Sequence, residues 1–164
     1  MDTVELDQVR KDAGAAYLEA LERLGLHPSA LFWAKDKVTN GFVLVLATEM
    51  FDYKGPLALS KLLFKAYNAA ATPQEIDPFV VRLHSPDHAI IRMLDGWKNL
   101  SNLKITHKNG VPIDPSVSIQ GVTVDDLEFR PDWVYLYNLP PKKGSIELLR
   151  RWRRFQAAVN KLAA

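Results

Sequence analysis

The chain has 164 residues, 48% apolar and 24% charged, with a formal net charge of +2, proportions ordinary for one globular domain spanning 1–164. Its lack of cysteine excludes a disulfide framework, Cys-ligated zinc, an iron–sulfur cluster and a thiol nucleophile. Met1-Asp2-Thr3-Val4-Glu5 lacks a secretory n-region, and the longest apolar run, Phe42 to Ala47, is far short of the roughly 20 residues of a membrane span, so a cytoplasmic protein is expected.

Residues 3–25 are predicted to form a helix, with Thr3 as the cap and Glu5 and Asp7 in its first turn. Its expected apolar face is Val9, Ala13, Ala16 or Tyr17, Ala20, Leu21 and Leu24, with Gly25 at the stop and Gly14 as a weak point. Residues 30–35 and 42–48 flank a short polar loop ending in Asn40-Gly41, the pattern of a β-hairpin. Phe42 to Ala47 is apolar on both faces, so its strand should be central and covered on both sides. Gly55-Pro56 opens a helix through about Ala70, with Leu59, Leu62, Leu63, Ala66 and Tyr67 inward. The following segment, 71–78, has capping-box spacing at Thr72 and Glu75 but is stopped by Pro78, and is architecture.

Phe79 to His84 is a predicted strand, and Ser85-Pro86-Asp87 signals a helix start that Ile90, Met93, Leu94 and Trp97 would continue. The competing pattern is a second hairpin through 88–94. Beyond Leu103 the texture shifts to short strands at 104–107, 116–119, 122–124 and 133–137, punctuated by prolines. The last 23 residues, from Lys142, are distinctive. Leu148, Trp152, Phe155, Val159 and Leu162 step by four and three along one helical stripe, with Arg150, Arg153, Arg154 and Lys161 opposite and Arg151 at the flank. Seven basic residues and one acid give this segment +6, leaving −4 for residues 1–141. The elements add up to an α+β domain: a mixed or antiparallel sheet with an N-terminal helix, two internal helices and a C-terminal amphipathic basic helix.

Three sets of residues compete as sites. The basic helix face suits docking on an acidic protein or a nucleic acid, since the planar guanidinium forks of arginine bind anionic oxygens bidentately. Its apolar stripe also permits pairing with a second copy or contact with an anionic membrane, although the domain's own core has first use for it. The second set is Arg82, His84, Ser85 and His88. Arg82 and His84 alternate onto one strand face beside a predicted helix N-terminus, a pattern for anion binding or for acid–base chemistry with a charge stabiliser. Its plainer explanation pairs Arg82 with a core carboxylate. A metal on His84, Asp87 and His88 is disfavoured by the proline-started turn and the lack of HExxH. The third set is Asp125, Asp126, Glu128 and Asp132: with Asp126 and Glu128 on one strand face it would suit a hard cation or an acid–base pair, but without calcium-loop spacing a solvated loop or a binding surface for another chain's basic patch is expected.

No GxxxxGK[ST], GxGxxG or GxSxG occurs, no serine sits in a nucleophile-elbow context, and the aromatics Phe32, Trp33, Phe42, Phe51, Tyr53 and Phe64 gather at the predicted core. Tyr135 and Tyr137 share a strand face, for stacking or for packing under the terminal helix. The functional expectation is a non-enzymatic interaction module with no cofactor and no metal, contacting an acidic partner through its C-terminal helix. The alternative is a small-anion binder or hydrolase-like enzyme at the Arg82/His84/His88 junction.

Overall fold

The computed structural model describes residues 5–92, 122–124, 126–137 and 143–163. Helix α1 (Gln8–Leu24) starts later than its acidic prelude suggests. Asp7 is still extended (φ −70°, ψ 157°), and its carboxylate takes the Arg10 guanidinium at 2.7 Å instead of capping an amide. Thr3 lies outside the described residues. The buried face is Ala13, Gly14, Tyr17, Leu18, Ala20, Leu21 and Leu24, whereas Val9 and Ala16 face solvent, a rotation that brings in Leu18. Gly25 ends the helix in the left-handed region (φ 93°), and the Leu26 N–H closes on the Leu21 carbonyl, a Schellman-type stop.

Strands β1 (Ala30–Asp36) and β2 (Gly41–Ala47) form the expected hairpin, paired in antiparallel register from Ala30–Ala47 to Asp36–Gly41. Its four-residue loop is organised by Asp36, whose carboxylate accepts the amides of Val38 and Thr39, while Asn40 supplies the positive φ of 60°. A short helix, α2 (Met50–Lys54), follows, opened by the Thr48 hydroxyl accepting the Met50 amide. Helix α3 (Pro56–Asn68) buries Leu59, Leu62, Leu63 and Ala66, with Tyr67 only half-buried. Gln74 ties the next segment back through bonds to the Tyr67 and Thr72 carbonyls, and Ile76 plugs into the core, so 71–78 is indeed architecture.

The strand expected from Phe79 begins two residues later. Pro78–Val80 is a single 3₁₀ turn, capped by the Asp77 carboxylate on the Phe79 amide, and β3 is Val81–His84. Beyond it, the Ser85 hydroxyl caps a turn, accepting from the Asp87 amide, and not a helix. Helical structure starts at 89, where His88 provides both the cap and the first carbonyl: its Nδ1 accepts the Ile90 amide and its backbone oxygen accepts Ile91 and Arg92. Residues 89–92 are helical, not a hairpin; Met93, Leu94, Trp97 and the expected strands at 104–107 and 116–119 lie outside the described residues.

Strand β4 (Val122–Val124) turns at Asp126, at φ 63°, into β5 (Leu127–Phe129), which the sequence did not announce; 131–133 is a 3₁₀ turn, and β6 is Val134–Tyr137. The sheet runs β3-β2-β1-β5-β4, and β6 shares the β1 edge with β5. Among the described residues β2 and β3 are the parallel pair, joined through α3, and the other pairs are antiparallel, so the sheet is mixed and the fold is α+β. β2 is central, and Val43 to Ala47 are buried on both faces as expected.

Helix α4 (Ser145–Ala163) packs against α1, α2 and α3. Trp152, Phe155 and Val159 are its buried residues and join one apolar cluster that extends from α1 through the sheet. Each such side chain, fully buried, contributes about 1.5–3 kcal/mol. Tyr135 packs beneath α1, not α4. It donates to the Lys11 carbonyl at 2.6 Å and accepts from the Trp33 indole at 3.0 Å, and burial pushes its hydroxyl pKa well above the ordinary value. Gly14 makes room for it: a Cβ there would meet the Tyr135 hydroxyl oxygen at 2.4 Å.

Candidate functional site

The basic face of α4 is held rigid by what lies beneath it. With the Trp152–Phe155–Val159 stripe turned into the core, a 100° step per residue places Arg150, Arg153, Arg154 and Lys161 on the opposite side, and all four are exposed. Glu147 is the one acid in the helix. It takes Arg151 at 3.2 Å and reaches Arg150 at 4.0 Å, leaving Arg153, Arg154 and Lys161 with no ion pair among the described residues. The Arg154 stem lies against Gly25 at the end of α1, and Lys54 stands 5.9 Å from the centre of the Trp152 ring, so neighbouring elements flank the patch.

Arg151 departs from the group. It is half-buried and, with Lys143 and His27, lines a small cavity of about 220 Å³ between the end of α1, the end of β2 and α4; Glu49 is also in its wall. The stripe residues at the helix ends behave differently too. Leu148 is half-buried and Leu162 is exposed. Self-pairing through the centre of the stripe has no free surface to use, because Trp152, Phe155 and Val159 are already buried within the chain.

The second set is partly assembled. Arg82, His84 and His88 line one cleft of about 590 Å³, together with Asp36, Asp126, Leu83, Ile90 and Leu127. Strand alternation puts Arg82 on the sheet face opposite Trp33, whose indole reaches the Arg10 carbonyl of α1. The cleft therefore opens on the side away from that helix. The His84 and His88 rings lie against each other, centroids 4.2 Å apart and tilted by 38°. Arg82 is 48% exposed and its guanidinium donates to Asp36 at 3.1 Å. The Val38 amide, above all, holds the Asp36 carboxyl below the ordinary carboxylate range; Thr39 and the Arg82 charge assist, against the opposing effect of burial.

Ser85 does not join this cleft. Its hydroxyl donates to the Asp52 carboxylate at 2.6 Å. The helix N-terminus expected beside Arg82 is displaced to 89, and its Ile90 amide is already bonded to His88. Residue spacing signalled neither Asp36 nor Asp126 as cleft residues, because they arrive from β1 and the β4–β5 turn.

In the acidic set, Asp126 is exposed at the turn while Glu128 faces Lys35 across the β1–β5 pair, so the two do not share one strand face; Asp125 lies outside the described residues. Among the described residues no group of three or more His, Asp or Glu is placed to hold a metal ion, and no helix is long and apolar enough to cross a membrane. No family model matches the chain, and comparison with curated proteins and with solved structures finds no match.

Proposed function

We propose that this chain is a non-enzymatic interaction module that docks an acidic protein surface on the basic face of α4. The observation that carries this reading is the exposure of Arg150, Arg153, Arg154 and Lys161 on a helix whose other side is anchored in the core. An anchored helix presents its charges in a fixed array, so little ordering entropy is lost when a partner engages them. Protein is favoured over nucleic acid because exposed aliphatic side chains, Ile146 and Leu162, bracket the cations on the same helix. Phosphate backbones have no use for such neighbours, whereas protein surfaces do.

Fluorescence anisotropy with poly-glutamate and with single- and double-stranded DNA of equal charge tests the proposal. Poly-glutamate should bind, weaken steeply between roughly 50 and 300 mM salt, and lose binding when Arg150, Arg153 and Arg154 become Glu. Tighter binding of DNA would move the reading to nucleic acid. Unchanged binding by the reversed variant would end it.

A second reading, a small-anion site in the cleft, draws on the gathering of Arg82, His84 and His88 along one wall. Weighing against it, Asp36 already engages Arg82, and Asp126 adds a second negative charge to the lining. Titration of inorganic phosphate followed by the His84 and His88 ring resonances decides it: saturable shifts abolished by Arg82→Ala support the site, and their absence removes it.

A further inference from the structure

Between α3 and the end of α4 runs a shallow groove of about 700 Å³. Leu57, Phe64 and Leu162 supply its large apolar side chains; among the described residues Lys61 and Lys65 are its charged lining and no acidic side chain lines it. Leu57 is 68% exposed and Leu162 56%. Phe79, 80% exposed on the 3₁₀ turn before β3, meets Phe64 edge-on at 5.0 Å and extends the apolar surface past the groove. Single exposed apolar residues need no explanation, but three brought together from three separate elements form a patch. The Lys65 ammonium donates to Asn160 at 2.6 Å, bridging α3 and α4 at the surface, and keeps two further N–H donors.

We propose that this groove seats the apolar stripe of an acidic amphipathic helix belonging to the partner protein, a step that rests on the reading of α4 as an acidic-protein docking surface. Charge complementarity selects the occupant. An apolar floor bordered by Lys61 and Lys65 accepts a helix whose apolar residues recur at i, i+3, i+4 and i+7 and whose flanks carry Glu or Asp. The 13 residues of α3 run for about 20 Å, a length matched by three to four turns of a partner helix. Leu57, Phe64 and Leu162 contribute apolar contact, and the lysines and the α4 arginines contribute long-range attraction.

The test uses two labelled synthetic peptides of about 18 residues with identical Glu/Leu composition, one patterned as an amphipathic helix and one scrambled. The patterned peptide should bind the full chain at least about tenfold more tightly than the scramble. Leu57→Gln with Leu162→Gln should erase that preference while leaving scramble binding intact; both sites are exposed, and circular dichroism checks the fold. Resonances of Leu57, Phe64 and Leu162 in the unsubstituted chain should shift on adding the patterned peptide. Reversal of Arg150, Arg153 and Arg154 should weaken both peptides. Equal affinity for the two peptides, or shifts confined elsewhere, overturns the groove and leaves the basic-face reading standing. No binding of either peptide, or indifference to arginine reversal, overturns the basic-face reading itself. Stronger binding to phosphatidylserine vesicles than to the patterned peptide, or a dimer mass in the peptide-free chain, shows a different occupant and also overturns the proposal.

Discussion

Two cationic regions of this molecule differ in how their charge is balanced. On α4, one glutamate serves two arginines, and Arg153, Arg154 and Lys161 project from the surface with no ion pair among the described residues. In the cleft, Arg82 is engaged by a nearly buried aspartate that two backbone amides already hold in its charged form. A cation with a fixed partner contributes mainly to local order, whereas a surplus of cations on a rigid support creates a field that reaches about a Debye length, roughly 8 Å at physiological salt. The contrast shows that residue type alone does not reveal how a cation's charge is balanced.

The largest effect should separate the two regions directly. Arg150→Glu, Arg153→Glu and Arg154→Glu together should weaken poly-glutamate binding by about a hundredfold or more at low salt, while Arg82→Glu should change it by no more than about twofold. Comparable losses in anisotropy titrations would erase the distinction. Next in size is the support beneath the patch. Trp152→Ala should cost about 3–5 kcal/mol in urea denaturation, whereas Arg82→Ala, at a half-exposed ion pair, should cost no more than about 1 kcal/mol.

Gly14→Ala should destabilise by about 1–3 kcal/mol, because the new methyl must displace the Tyr135 ring from beneath α1. Adding Tyr135→Phe, which removes the hydroxyl at the closest approach, should make the two substitutions non-additive in a denaturation cycle.

A smaller effect concerns pH. The folded Asp36 carboxyl lies below its ordinary pKa, so its contribution is present above the unfolded value and is lost as pH falls through the folded one. Denaturation curves from roughly pH 5 to pH 2 should therefore show a shallower acid limb in Asp36→Asn than in the parent chain. The smallest effect is at Glu147. Its replacement by Gln should alter stability by no more than about 0.5 kcal/mol and, by releasing Arg150 and Arg151, strengthen poly-glutamate binding slightly.

Much of the fold was legible where local chemistry and tertiary demand agree. The 30–47 hairpin followed from Asn40-Gly41 between apolar runs, α3 from Gly55-Pro56, and α4 from its stripe. Disagreements came where a side chain had a better partner than the expected one. Asp7 took Arg10, so α1 began late, and His88 capped the helical turn that Ser85 was expected to open, with Ser85 bound to Asp52 instead. Short β5 has only three residues and no periodicity to announce it.

Sequence alone determined the amphipathic character of α4 and the segregation of +6 into the last 23 residues, because periodicity and charge are properties of the linear chain. Only the tertiary structure decided that Arg82 meets Asp36, that Ser85 leaves the cleft, that Gly14 is space for Tyr135, and that Leu57, Phe64, Phe79 and Leu162 share a surface. The pairs Asp36–Arg82, Asp52–Ser85, Gly14–Tyr135 and Phe64–Phe79 lie 15 to 121 positions apart, and such encounters depend on how strands and helices pack, which no local pattern encodes.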